Sequence, residues 1–168
     1  MRYYDTFNSP QGEMLLVATD DGVAGIYFTG QKYFPKKEKE WRRDPDHALL
    51  KQAKRELAEY FAGKRRSFSV ALDPDGTPFQ RSVWKSIAKV AFGKTLTYGE
   101  LAKRTGHPGS ARAAGAATGR NPIGIIVPCH RILGSGGALT GYAGGLHRKR
   151  ALLELEGIRP DASRHRAA

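Results

Sequence analysis

The sequence has a single cysteine, Cys129, in 168 residues, which excludes an intrachain disulfide framework and any cysteine-rich zinc finger. No apolar run approaches the ~20 residues that a membrane-spanning helix needs. The opening residues Met1-Arg2-Tyr3-Tyr4-Asp5 lack the apolar stretch of a secretory signal. These absences lead us to expect a soluble, cytoplasmic protein, or a nuclear one in a eukaryote. The five histidines show no metal-ligand spacing among themselves or with Cys129, so no metal site is expected. Negative charge is scarce in one half only. Residues 78–160 hold 13 Lys and Arg against Glu100, Glu154 and Glu156, whereas residues 1–77 hold 13 against 12 Asp and Glu. The chain carries +12, nearly all of it after the Asp75-Gly76 break. A basic surface can serve solubility alone. A half nearly free of carboxylates more often tracks a polyanion, with nucleic acid the leading candidate.

What remains is an ordinary globular composition, 40% apolar and 26% charged, at a length for one domain or two small ones. The N-terminal half, residues 1–76, reads as strands followed by a helix. Met14–Thr19 and Val23–Phe28 are apolar and β-prone, and Asp20-Asp21-Gly22 between them signals a hairpin. Tyr3–Phe7 is a further pairing candidate, and the charged, proline-containing stretch Gly30–Asp44 reads as a loop. With Asp46 as N-cap, Leu49, Leu50, Ala53, Leu57, Tyr60 and Phe61 recur at helical spacing up to Gly63. Phe68–Leu72 is one more candidate strand before the break at Asp73-Pro74-Asp75-Gly76. No motif in this half carries chemistry, and it reads as a scaffold.

Residues 77–160 are punctuated by helix caps, and 161–168 form a tail. Thr77-Pro78-Phe79-Gln80 combines an N-cap, a proline at the first helical position and a capping-box glutamine. Phe79, Val83, Trp84, Ile87 and Val90 then mark a buried face up to Gly93. Thr97-Tyr98-Gly99-Glu100 is a second capping box, opening a short helix that ends near Thr105-Gly106. After the turn His107-Pro108-Gly109, Ser110 can cap a third helix through Thr118. Two short helices around a tight turn form a helix-turn-helix pattern. Arg112 is awkward there, because a cation in the first turn opposes the helix dipole by roughly 0.3–1 kcal/mol. Either it points into water, or it is a cation delivered at the tip of a recognition helix whose neighbours are mostly alanine.

Ile125–Val127 should be buried, so that Cys129 emerges from the core after Pro128. A lone cysteine is most often a small, inert core residue. Here His130 and Arg131 adjoin it, and both would favour a thiolate, lowering the pKa from ~8.5; His130 is also a candidate base. Gly134-Ser135-Gly136-Gly137 and Gly141-Tyr142-Ala143-Gly144-Gly145 lack the context of a dinucleotide fingerprint and suit close approach of backbone to a flat ligand. Arg148–Leu155 reads as a final helix.

These residues resemble the O6-alkylguanine-DNA alkyltransferases, or methylated-DNA–protein-cysteine methyltransferases. Pro128-Cys129-His130-Arg131, preceded by Ile125-Ile126-Val127, looks like that family's active-site signature. The likeness runs from about Thr77 to Gly157 and includes Tyr98-Gly99-Glu100-Leu101-Ala102, Ala111-Arg112-Ala113, Asn121-Pro122, Gly141-Tyr142 and Leu155-Glu156-Gly157. The N-terminal half matches loosely, in length and element order. The resemblance implies an α+β protein: a small N-terminal antiparallel sheet plus helix domain, then a mostly helical, winged-helix or helix-turn-helix-like domain. It makes Cys129 the alkyl acceptor. His130 would take the thiol proton through a water, Glu156 would orient and charge His130, and Asn121 would support the nucleophile's loop. Arg112 would enter the duplex in place of a flipped base, and Tyr98 would push the target's phosphate and hydrogen-bond the base. Gly99, Ala111 and Ser135 would meet DNA. Tyr142, the Ala143 amide and the Ile132 carbonyl would line the substrate pocket.

The implied partner is double-stranded DNA carrying alkylated bases, O6-alkylguanine and also O4-alkylthymine, met by a monomer with cooperativity left open. No cofactor is expected. Removing an alkyl group from O6 of guanine is attack at saturated carbon, which suits a polarisable thiolate; with no second cysteine to resolve the thioether, each molecule acts once. Some members hold a structural zinc in the N-terminal half, but here that half has no cysteine and only His47. Ala143 stands where some members have serine, which bears on the range of alkyl groups. Two other classes compete: a non-catalytic lesion-binding or helix-turn-helix protein, and a thiol hydrolase using Cys129 and His130.

Overall fold

The computed structural model describes residues 1–160, so the tail read at 161–168 lies outside the described residues. The fold is α+β. The chain divides into two units: Met1–Asp75 with Pro122–Gly124, and Gly76–Asn121 with the chain from Ile125. No helix among the described residues is long and apolar enough to cross a membrane.

In the first unit, β1 (Tyr3–Ser9), β2 (Gly12–Ala18) and β3 (Val23–Phe28) form an antiparallel meander. The stretch read as a loop contributes β4 (Arg42–Arg43), parallel to β1, giving the order β3-β2-β1-β4. At the other edge Ile26 donates to the Pro122 carbonyl at 2.8 Å and accepts from Gly124 N at 3.0 Å. Helix α1 (Ala48–Phe61) buries Leu50, Ala53, Leu57 and Tyr60 and packs on β1 and β2. Burial of each large side chain contributes roughly 1.5–3 kcal/mol.

Two expectations for this unit are corrected. The N-cap of α1 is His47, whose Nδ1 accepts from Leu49 N at 3.2 Å; Asp46 instead gives its own N–H to the Asp44 carboxylate at 3.2 Å. Phe68–Leu72 is not a strand, and Leu72 makes only an isolated bridge to Val23. The reason is Glu56, a buried carboxylate that accepts from Ser69 N and Oγ and from Val70 N. A side chain has taken the donors a strand neighbour would need.

The second unit contains α2 (Pro78–Ala88), β5 (Leu96–Thr97), α3 (Tyr98–Arg104), α4 (Ala111–Gly119), β6 (Ile132–Leu133) and α5 (Leu146–Leu155). Both capping boxes form, Thr77 with Gln80 and Thr97 with Glu100. Ser110 occupies the N-cap of α4 but makes no capping bond with its side chain. Helix α5 begins at Leu146, ahead of the expected Arg148, because Gly145 at φ 95° turns the chain into it. Val83, Trp84, Ile87, Leu101, Ala102, Ala114 and Ala117 form the buried seam of α2, α3 and α4, and Trp84 Nε1 donates to the Ala117 carbonyl at 2.8 Å. Strands β5 and β6 pair in parallel, with Thr97 opposite Leu133. That ladder sets the first turn of α3, where Tyr98 sits, beside the segment that continues from Cys129.

Candidate active site

The nucleophile's segment is built from the end of α4. Asn121 comes just after the helix and its Nδ2 donates to the Val127 carbonyl at 2.8 Å, closing the loop between them. Ile125 inside that loop is buried at φ 69°, a left-handed conformation that costs a β-branched residue on the order of 1–3 kcal/mol. Pro128 leads into a 3-10 turn over Cys129–Arg131, fastened by Arg131 N to the Pro128 carbonyl at 2.9 Å.

The thiol does not emerge from the core as expected. Cys129 is 8% exposed, and burial pushes its pKa up. A hydrogen bond with the Asn121 side chain and the charge of Lys149 pull the other way without overcoming it. His130 and Arg131 do not supply the expected help, because both are committed to Glu156. His130 Nε2 lies 2.6 Å from Glu156 Oε2. Arg131 donates from Nε to Oε1 at 2.7 Å, from Nη2 to Oε2 at 3.0 Å, and from Nη1 to the Val90 carbonyl at 2.6 Å. All three side chains are buried. Burial lowers the His130 pKa; Glu156 opposes that shift, while the charges of Arg131 and Lys149 reinforce it. The imidazole therefore rests neutral at pH 7, able to accept a proton. Its Nδ1 is buried with no hydrogen-bond partner among the described residues.

Sequence reasoning missed Lys149. It is fully buried in α5 and its Nζ donates to the carbonyls of Ile132 and Thr140, each at 2.6 Å, and of Gly141 at 3.2 Å. Burial brings its pKa down to about 8, with Cys129 pulling upward. The signal was present: Lys149, Leu152, Leu153 and Glu156 fall at the i, i+3, i+4, i+7 spacing of a buried helix face. Tyr98 is half-buried, with its ring centroid 6.0 Å from Lys149 Nζ. Burial raises its pKa and the charge of Cys129 adds to the rise.

The site thus holds two separate side-chain pairs on one turn, Cys129 with Asn121 and His130 with Glu156, and Tyr98 is coupled electrostatically to the thiol. Ile132 is buried, and its carbonyl already holds the Lys149 ammonium. Tyr142 and Ala143 are half-buried in the loop before α5. Arg112 is exposed in the first turn of α4 beside half-buried Ala111, and Gly99 is exposed in the first turn of α3. Ser135 is exposed in a 3-10 turn after β6.

Residues 78–158 match the family profile "6-O-methylguanine DNA methyltransferase, DNA binding domain", and residues 2–74 match that family's "ribonuclease-like domain". A methylated-DNA–protein-cysteine methyltransferase of Methanosarcina acetivorans is 46% identical over 155 residues, covering 92% of this chain and 98% of the relative. The Mycobacterium bovis protein of the same name is 46% identical over 162 residues, covering 96% of each. The crystal structure of Mycobacterium tuberculosis OGT in complex with DNA superposes with a TM-score of 0.85 at 44% identity, covering 95% of this chain and 96% of that one. With both halves matched and the cysteine turn in place, the chain belongs to the 6-O-methylguanine DNA methyltransferase family.

Proposed function

We propose that this protein repairs DNA by moving the alkyl group of O6-alkylguanine, and also of O4-alkylthymine, onto Cys129, once per molecule. The observation that carries this reading is the geometry of the cysteine turn: a buried Cys129 followed by a buried His130 whose Nε2 lies 2.6 Å from Glu156 Oε2 and whose Nδ1 has no hydrogen-bond partner among the described residues. The thiol proton passes to His130 Nδ1 by way of a water. The resulting imidazolium gains its partner in Glu156, 2.6 Å from Nε2. Sγ then attacks the alkyl carbon, an S–C bond forms, and the C–O6 bond breaks with its electron pair leaving on the purine. Tyr98 donates a hydrogen bond to that leaving purine. The thioether does not reverse.

A thiol 8% exposed cannot reach a base inside the stack, so the target nucleotide must be extruded at a cost of a few kcal/mol. Arg112, exposed on α4, fills the vacated space, and Tyr98 turns the target's phosphate. Gly99, Ala111 and Ser135 let backbone meet backbone, and Tyr142, Ala143 and Ile132 surround the flipped base. The partner is alkylated duplex DNA, met by a monomer, and DNA as substrate puts the protein in the cytoplasm or, in a eukaryote, the nucleus.

The test is intact and peptide mass spectrometry after mixing with a duplex carrying one O6-methylguanine. One added methyl on the Cys129 peptide, matched by one methyl lost from the DNA, is the expected result. Tight binding with no mass change would overturn alkyl transfer in favour of lesion recognition alone.

A further inference from the structure

Helix α5 opens against its own dipole. His147, Arg148, Lys149 and Arg150 follow one another at its start, its first turn holds no acid, and its N-cap, Gly145, has no side chain to offer. Lys149 is occupied there by the carbonyls of Ile132, Thr140 and Gly141. The proposed reaction gives Arg148 no task, yet its Nη1 donates to the Gly144 carbonyl at 3.1 Å. The peptide that carries this carbonyl ends in the Gly145 N–H, which donates to the Tyr142 carbonyl at 2.9 Å. The peptide of that second carbonyl ends in the Ala143 N–H, which no acceptor takes among the described residues.

We propose that Arg148 is a positioning residue for alkyl transfer, holding and polarising the Ala143 N–H, through two successive peptides, as a donor to the oxygen of the leaving purine. In a trans peptide the C=O and N–H share a plane and point in opposite directions, and the described residues contain no cis bond. The Gly144 carbonyl, drawn to Arg148, therefore turns the Gly145 N–H toward Tyr142. That bond in turn aims the Ala143 N–H away from Gly145. Each hydrogen bond in such a chain polarises the next, and this chain starts at a guanidinium, which makes its first bond charge-assisted. The purine oxygen gains an electron pair as the C–O6 bond breaks, so a donor fixed there strengthens toward the transition state.

This inference rests on the proposed reading that Ala143 lies against the flipped base, and the experiment separates the two. Arg148→Met keeps the aliphatic stem and removes the guanidinium. Single-turnover transfer from a saturating O6-methylguanine duplex should slow about three- to tenfold, the worth of one hydrogen bond, with the half-saturating DNA concentration unchanged. Transfer from a duplex carrying S6-methyl-6-thioguanine should slow by less than about twofold, because its sulfur is a weak hydrogen-bond acceptor. Arg148→Gln, which keeps a neutral donor, should lose less than Arg148→Met on the oxygen substrate, and it reads the same contrast if Arg148→Met does not fold. Equal slowing on the two substrates, or none on the oxygen one, would overturn the positioning role. Ala143→Pro deletes the N–H at the second position of a turn, where proline fits. Transfer at the wild-type rate by Ala143→Pro would instead overturn the contact between Ala143 and the base, and the inference with it.

Discussion

Replacing Lys149 by methionine keeps the side chain's length and removes its charge, and stability then depends on two opposing effects. The Lys149 pKa has fallen from 10.5 to about 8, which at neutral pH corresponds to about 3 kcal/mol of unfavourable burial that methionine would remove. Against that, the carbonyls of Ile132, Thr140 and Gly141 lose their donor, at roughly 1–3 kcal/mol each. The second effect is larger, so the variant should be less stable by about 3 kcal/mol. The pH dependence has a definite sign. Between pH 8 and 10.5 the unfolded lysine holds its proton while the folded one releases it, so wild-type stability should rise with pH there, and the variant should lack that rise. On chemistry, the ammonium is one of the influences holding the Cys129 pKa down. Its loss should move the rate profile of single-turnover alkyl transfer to higher pH. Each pH unit of displacement means tenfold less thiolate at pH 7. The thiolate that forms is a better nucleophile, so the net loss is about three- to fourfold per unit. At high pH, where both thiols are ionised, the profiles should cross, with the variant faster by about two- to threefold per unit. Superimposable rate profiles together with an unchanged urea midpoint would refute the reasoning.

Glu156→Gln should destabilise the protein by about 3–5 kcal/mol in urea unfolding, because it strands the buried Arg131 guanidinium without an anion; a loss under about 1 kcal/mol would show Arg131 satisfied without the charge. Burial holds the His130 pKa below its usual 6.5, so stability should fall as pH drops below 6.5, where the unfolded imidazole gains a proton and the folded one does not. His130→Phe should remove that decline, measured as urea midpoints between pH 5 and 6.5, and an unchanged slope would place the proton elsewhere. Arg112→Ala should slow transfer from duplex DNA by about tenfold or more, leaving reaction with free O6-alkylguanine and the urea midpoint unchanged. Equal loss on both substrates would sink its role in the duplex.

The parts of this fold that are legible in the sequence are those whose physics is local. The capping boxes of α2 and α3 need only two side chains three residues apart, and both form. The β2–β3 hairpin needs only a turn between two apolar runs. Phe68–Leu72 misleads because its backbone donors belong to Glu56, more than a helical turn earlier in the chain and on another element. Pro122–Gly124, which joins the sheet of the first unit, carries no local signal of that pairing. At the site the error lies in equating adjacency with contact. Successive side chains of a 3-10 turn point about 120° apart, so Cys129, His130 and Arg131 cannot all face one another. The thiol goes to Asn121, and the two basic side chains go to Glu156. The charge that tempers the thiol comes from Lys149, twenty positions further on, hidden in a helix whose spacing marks that position for burial. A thiol kept buried until a base can take its proton is guarded against stray electrophiles, and the single-use transfer proposed above gives the site reason to be built that way.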